Sequence, residues 1–513
     1  MTGRVCRGAA WRAPQRALAI AAAAAAISAC HPPQTHSPQM RLAPPPPTSS
    51  TRVLELQHTI DRALADPAIG HGTWGVLAKS LTTGDVLYTL NAGKLLTPAS
   101  SMKTLTLAIA ADRLGWDYPF LTRVLMAGTV TDGTLDGDLV IIGSGDPTIE
   151  NWRGNTWLDT WPELLRRQGI RRINGRIVGD DSAFDDEGLG AGWTWEDLAA
   201  SYSAPASGLQ FNQNSVQLVV TPGATLNDRP IVEMHPPWAP LAFVNLLTTT
   251  AARTASTLTV QTIARAPVIE LRGTVAAGSP STTRTVAVSN PTLYFAEAAR
   301  DALVRGGIEV IGPAADADDI VRNPGQPPAT PLTEFSTSLV AIARPMMKLS
   351  PNLFAESLLK TLGAQTSAPG TTEAGRTLER TALGRWGIAA SDVLIADGSG
   401  LSRYNLITPG AMVDILTHVY RDDRLRDTFM DLLPVAGVDG TLSARMKNTA
   451  AAANVRGKTG TFSNARALVG YVRTKDNEPL VFAILTNNYN VDAGLVDRAT
   501  DAIVIALAGF SRK

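Results

Sequence analysis

Cysteine is nearly absent from this 513-residue chain: only Cys6 and Cys30 occur, both near the N-terminus. That excludes a disulfide framework and a cysteine-ligated zinc site. Net charge is absent too, since 46 basic residues balance 46 acidic ones. A nucleic-acid binder with a general basic excess is therefore unsupported. The apolar run Ala17 to Ala26 falls short of the about 20 residues a membrane span needs. No G-x-S-x-G elbow and no H-E-x-x-H occurs, so an α/β-hydrolase and a zincin are unsupported. The acidic clusters Asp180-Asp181, Asp185-Asp186-Glu187 and Asp316 to Asp319 lack an EF-hand pattern and read as solvated loops. Lysine is scarce, nine of the 46 basic residues, so each one is worth locating.

What is present is globular. Hydrophobic residues make up 44% and charged residues 18%, enough for a sizeable core and against disorder. At about 100–200 residues per domain, the length predicts two or three domains.

The N-terminus reads as an address. Arg4, Arg7, Arg12 and Arg16 precede the apolar run, and Ile27-Ser28-Ala29-Cys30 closes it. A basic region, a short apolar segment and small residues before a cut describe a secretory signal over 1–29. The closing string also resembles a bacterial lipobox, which would make Cys30 the lipidated first residue of the mature protein. Residues 31–50 hold seven prolines, with His31 and His36 among them, and read as an extended tether. The protein is expected to be exported, with membrane contact only through the lipid.

The body begins near Thr51. Apolar spacing predicts helices over Thr51–Ala65, Pro291–Gly306, Leu339–Met347, Asn352–Leu362, Pro409–Tyr420 and Ala493–Leu507. Thr97 and Pro98 read as N-cap and first residue of another helix. Strands are predicted at Trp74–Lys79, Val86–Leu90, Ala465–Val472 and Leu480–Leu485. Between about 121 and 288 the chain is rich in Gly, Thr, Val and Asp with short alternating runs, which predicts an antiparallel β-rich unit. No repeat of fixed period occurs.

Three short motifs carry chemistry. Ser100-Ser101-Met102-Lys103 is an S-x-x-K, and on a helix residues i and i+3 share a face. A serine hydroxyl is a weak nucleophile until a base takes its proton. Lysine serves as that base only when neutral, which burial and a second cation both favour. The second motif is Lys458-Thr459-Gly460, followed by Thr461-Phe462-Ser463. A strand offering a cation and hydroxyls can hold a carboxylate, and glycine allows close backbone approach. The third, Ser350-Pro351-Asn352, precedes a helix and reads locally as a cap with proline inside the first turn. Each is weak alone; a capping serine, a solvated lysine and a strand start would explain them separately.

In the order S-x-x-K, S-x-N, K-T-G the three resemble the penicillin-recognising serine enzymes. The strings Pro98-Ala99-Ser100-Ser101-Met102-Lys103-Thr104, Leu349-Ser350-Pro351-Asn352-Leu353-Phe354-Ala355-Glu356, Asp397-Gly398-Ser399-Gly400-Leu401-Ser402-Arg403 and Gly457-Lys458-Thr459-Gly460-Thr461 resemble D-alanyl-D-alanine carboxypeptidase/endopeptidases, the class C penicillin-binding proteins. Pro434 to Leu442 resembles them too. So does the gap of 250 positions between Ser100 and Ser350, where such proteins carry large inserted domains.

The resemblance implies an α+β fold: a β-lactamase/transpeptidase-like domain of helices and antiparallel sheet over 51–120 and 289–513, interrupted by a β-rich insertion at 121–288. It implies a serine D,D-peptidase that cuts D-Ala-D-Ala and D-Ala–diaminopimelate cross-links of peptidoglycan stem peptides through an acyl-enzyme, and that binds β-lactam antibiotics. Ser100 would attack, Lys103 would take its proton, and Ser350 with Lys458 would relay a proton to the leaving amine. Asn352 would orient the substrate amide and Lys103. Backbone N–H groups of Ser100 and Thr461 would form the oxyanion hole. Lys458, Thr459 and Thr461 would hold the terminal carboxylate, with Gly460 between them. Asp197 and Tyr202 would line the diaminopimelate side-chain pocket from the insertion, and Arg403 and Ser463 its carboxylate side; Glu196 beside Asp197 leaves the choice of acid open. No metal or other cofactor is required, and no nucleic acid. Two other functions remain on the same residues: a serine β-lactamase, which needs fast deacylation, and a non-catalytic peptidoglycan-binding lipoprotein, which would not need all five motif side chains.

Overall fold

The computed structural model describes residues 51–151, 157–263, 268–321 and 328–513. The signal, the tether and Cys30 lie outside the described residues. Among the described residues no helix is long and apolar enough to cross a membrane.

The first and last strands among the described residues meet in one sheet. Strand Thr73–Ser80 pairs antiparallel with Val86–Leu90 on one side and Pro479–Asn487 on the other. Ala465–Arg473 and Arg456–Phe462 continue the sheet outward, also antiparallel. Both faces of this sheet are covered. Val76, Phe482 and Ile484 point to one face and pack with the helices Thr51–Leu64 and Ala493–Gly509. Leu77, Ala483 and Leu485 point to the other and pack with Lys103–Leu114 and Pro409–Arg421. This alternation is the two-residue period of a strand. Burial on both faces explains why Leu480 to Leu485 is uninterruptedly apolar. Each Leu, Val, Ile or Phe among them, if fully buried, contributes roughly 1.5–3 kcal/mol. The covering helices start where their caps dictate. Thr408 accepts from the Ala411 N–H with Pro409 at the first helical position, and Asp492 accepts from the Gly494 N–H.

The middle of the chain builds a second core. Strands Pro119–Thr131 and Thr134–Gly143 form a long antiparallel hairpin, and Thr330–Ser338 pairs beside it. The antiparallel expectation fails in part here. Thr134–Gly143 pairs parallel with Ile177–Asp180, reached through the helix Trp161–Arg167. Ala242–Thr250 pairs parallel with Val268–Ala276. Parallel neighbours need a crossover connection, which local alternation cannot reveal. The helix Pro291–Arg305, capped by Asn290, buries Tyr294, Phe295 and Ala299 in the middle core with Leu139, Ile177 and Phe211. The strand Thr330–Ser338 belongs to the same sheet, so packing returns to the first core only at the helix Leu339–Leu349. The helix Thr372–Arg385, capped by Thr371, had no sequence expectation.

Candidate active site

Ser100 sits on a tight turn, not on the α-helix foreseen for it. Residues Ala99–Met102 form a single 3-10 turn, and the α-helix begins at Lys103. Thr97 is not a cap; its N–H donates to Asn487 Oδ1 at 2.7 Å, and Asn487 Nδ2 donates back to the Thr97 carbonyl at 3.1 Å. This pins the turn to the central sheet. Ala99 takes a left-handed φ of 46° just before the serine, a conformation that costs a non-glycine residue energy and clusters at functional sites. In a 3-10 turn i and i+3 eclipse, which brings Lys103 Nζ to 2.9 Å from Ser100 Oγ.

The Lys103 side chain is fully buried. Its other partners are Asn352 Oδ1 at 2.7 Å and the Ser399 carbonyl at 2.7 Å. Both are acceptors only. A neutral amine has two N–H groups and one lone pair, so donating to these two leaves the lone pair for the Ser100 hydroxyl. Burial lowers the Lys103 pKa to about 7, against the opposing pull of Asp397 and Glu356.

Those two carboxylates do not touch the amine. Glu356 Oε1 accepts from the Ser399 N–H at 2.8 Å. Asp397 accepts from the N–H groups of Gly400 at 2.7 Å and Ser402 at 2.6 Å, and from Asn405 Nδ2 at 2.6 Å. They shape the loop that offers the Ser399 carbonyl to Lys103. Gly400, at φ 84°, passes so close to Ala99 that a Cβ there would overlap its carbonyl oxygen. Burial, then Asp397, pushes the Glu356 carboxyl up to about 7. The sequence placed Glu356 and Asp397 in matching strings without giving either a role.

Lys458 is also fully buried. It donates to Ser350 Oγ at 2.8 Å and to the Thr459 carbonyl at 3.0 Å. Burial, then the nearby Lys103, lowers its pKa well below the ordinary lysine value. Ser350 ends its helix in the left-handed region, φ 69°. The next helix begins at Asn352, so Pro351 stands before the first turn, not within it. Along the strand Arg456–Phe462, Lys458 and Gly460 are buried. Thr459 and Thr461 share the other face, Thr461 exposed and Thr459 donating to Thr441 Oγ1 at 2.8 Å. A Cβ on Gly460 would overlap the Pro98 carbonyl; the strand thus lies directly against the Ser100 turn.

The structure draws the side-chain pocket candidates to the same rim. Asn352 Nδ2 donates to the Tyr202 carbonyl at 2.8 Å, so Tyr202 also enters through its backbone. The Tyr202 hydroxyl donates to Asp197 Oδ1 at 2.6 Å, and Thr194 donates to Oδ2 at 2.7 Å. Burial and then Asp197 raise the Tyr202 pKa to about 12. Glu196 is exposed and Asp197 half-buried. Trp193 Nε1 donates to Asp397 Oδ2 at 2.9 Å, tying this segment to the loop that carries Arg403. The Arg403 guanidinium lies 4.8 Å from the Phe462 ring centre and donates to Asn464 Oδ1 at 3.1 Å. Ser463 is exposed in the turn between them.

Among the described residues one group of three carboxylates, Asp181, Asp316 and Asp318, brings oxygens within 4.8 Å of one another. They line a cavity and are not all solvated, since Asp316 is buried. Asp181 already accepts from the hydroxyls of Ser207 and Thr292, and Asp316 from Asn290 Nδ2.

The chain is similar to known proteins along most of its length. The chain is 33% identical over 481 residues to a D-alanyl-D-alanine carboxypeptidase of Actinomadura sp. (strain R39), covering 90% of this chain and 86% of that one. It is 28% identical over 424 residues to D-alanyl-D-alanine carboxypeptidase DacB of Haemophilus influenzae, covering 81% and 85%. The crystal structure of penicillin binding protein 4 (dacB) from Haemophilus influenzae superimposes with a TM-score of 0.77 at 25% identity, over 89% of this chain and 99% of that one. The fold is therefore that of the penicillin-recognising transpeptidase-like proteins. Residues 56–509 match the model of the D-Ala-D-Ala carboxypeptidase 3 (S13) family, and the chain belongs to that family of carboxypeptidases.

Proposed function

We propose that this carboxypeptidase is of the serine type and works through an acyl-enzyme on Ser100. The observation that carries the reading is the Lys103 amine, 2.9 Å from Ser100 Oγ and held otherwise by neutral acceptors only. Ser100 Oγ attacks the carbonyl carbon between two D-alanines, and its proton passes to Lys103 Nζ. The C–N bond breaks, and the amine takes a proton through Ser350 Oγ, which Lys458 contacts at 2.8 Å. Water then cleaves the ester by the same route and frees Ser100. N–H groups of Ser100 and Thr461 hold the developing oxyanion, commonly a large part of acyl-transfer catalysis. Lys458, Thr459 and Thr461 hold the substrate carboxylate.

The leaving amine is D-alanine in the carboxypeptidase reaction and a diaminopimelate stem in the endopeptidase reaction. Asp197 and Tyr202 receive the side-chain ammonium of the diaminopimelate in the stem that acylates Ser100, and Arg403 and Ser463 its carboxylate. In this reading residues 121–338 are an inserted domain that lends Asp197 and Tyr202 to the cleft. The enzyme is exported to the cell envelope and held there by lipid on Cys30.

Labelled penicillin tests the reading. A long-lived adduct, lost in Ser100→Ala and recovered in the membrane fraction unless Cys30 is changed to Ser, is the expected result. Rapid turnover of the adduct identifies a β-lactamase instead. Absence of any adduct identifies a non-catalytic binding protein.

A further inference from the structure

A cavity of about 550 Å³ adjoins the site on the side of Ser350 and Asn352. It falls in the range of roughly 300–1,000 Å³ in which proteins enclose whole small ligands. Its lining mixes aliphatic and polar residues. Ala341, Pro345 and Leu349, four apart on one helix, are aliphatic. Thr148, Ser201, Thr285, Gln213 and Glu150 bring hydroxyls, an amide and a carboxylate. Leu349 is 55% exposed and Tyr202 50% exposed at the mouth, next to Ser350 and Asn352.

A second observation concerns Gln213. It is the middle of three consecutive non-glycine residues in the left-handed region, Asn212 at φ 49°, Gln213 at 53° and Asn214 at 52°. Asn212 and Asn214 are fully buried and tied down: Asn214 Nδ2 donates to the Pro205 carbonyl at 2.8 Å, and Asn212 Nδ2 to Asn151 Oδ1 at 2.9 Å. Three strained residues in a row persist only where the surroundings over-determine them, commonly at ligand clamps. Here the strained run places Gln213 on the cavity wall. A primary amide donates and accepts at once, as a peptide group does.

We infer that this cavity is a subsite for the leaving stem peptide of a cross-linked substrate. The inference rests on Ser350 delivering the proton to the leaving amine, as proposed above. A single D-alanine leaving group ends near Ser350. A longer one continues past Leu349 and Tyr202, setting methyl side chains on the aliphatic residues and backbone amides on the hydroxyls and Gln213. The cavity then serves cross-link cleavage and not removal of a terminal D-alanine.

Two substrates separate the roles: a stem peptide ending in D-Ala-D-Ala, and a glycan-free peptide dimer joined by a D-Ala–diaminopimelate bond. Ala341→Trp fills the cavity from an exposed helix position. Gln213→Asn withdraws the amide by one methylene with a residue that tolerates left-handed backbone. Each is expected to lower kcat/KM on the dimer by about tenfold or more, Ala341→Trp the more strongly, while D-Ala release and penicillin acylation stay within about twofold. Equal loss on both substrates overturns the inference. So does unchanged dimer cleavage by Ala341→Trp, a wild type that leaves the dimer intact, or a loss confined to glycan-bearing substrate. Failure of the wild type to form the Ser100 adduct instead removes the reading on which the inference rests.

Discussion

Three lysines are fully buried, Lys103, Lys458 and Lys360, and they lie in two regions of different design. In the cleft, Lys103 and Lys458 touch only neutral oxygens, those of Ser100, Asn352, Ser399, Ser350 and Thr459. At the seam where the helix Asn352–Ala364 meets residues 184–187, Lys360 makes an ion pair with Asp185 and lies 5.7 Å from the Phe184 ring centre. The two settings spend burial differently. Beside a carboxylate, a buried lysine is a paired charge that joins two segments. Without direct contact to one, burial favours the neutral amine, and the lysine can take a proton from a neighbouring hydroxyl. Asp397 and Glu356 keep their distance from Lys103, so they bias its charge without neutralising its use.

That contrast predicts opposite failures. Lys103→Ala removes the proposed base, and the rate of acylation by penicillin should fall about a thousandfold, within the usual range for a general acid–base group, while thermal unfolding changes little by comparison. An acylation rate within about tenfold of wild type would break the distinction. Lys360→Met leaves Asp185, 24% exposed in its side chain, without its ion pair. Losing the partner of a group that keeps some contact with water costs about 1–3 kcal/mol, measurable by urea unfolding, and the folded fraction should still acylate at the wild-type rate. A loss of acylation without loss of stability would assign Lys360 to the chemistry instead.

The smallest effect is in pH. Lys103 titrates near pH 7 and must be neutral to act, so kcat/KM rises as pH passes upward through that value and falls about tenfold per unit below it. An acid limb that stays flat down to pH 5 would mean that the amine is not the base.

Much of the site was legible because its chemistry is local. Ser100 and Lys103 need only three residues of spacing, and Lys458 to Thr461 needs only a strand. Other features needed contacts between distant segments. The helix Pro291–Arg305 was legible as a helix, but its allegiance was not, because amphipathic spacing names a buried face without naming what covers it. The parallel pairing of Thr134–Gly143 with Ile177–Asp180 was hidden for the same reason. Tyr202 was expected through its side chain, yet its carbonyl also meets Asn352, a contact no residue type announces.

By itself, then, the sequence determined the inventory: a candidate nucleophile, two lysines, an asparagine, a glycine where strand meets turn, and the order in which they come. Those follow from residue identity and short spacing, which the covalent chain carries directly. Only the tertiary structure decided that two of nine lysines lose water without gaining a touching acid, that Ser350 adopts a left-handed turn to face Lys458, and that the middle segment closes a cavity against Leu349. Desolvation is a property of everything packed around a group, and no stretch of chain encodes it alone.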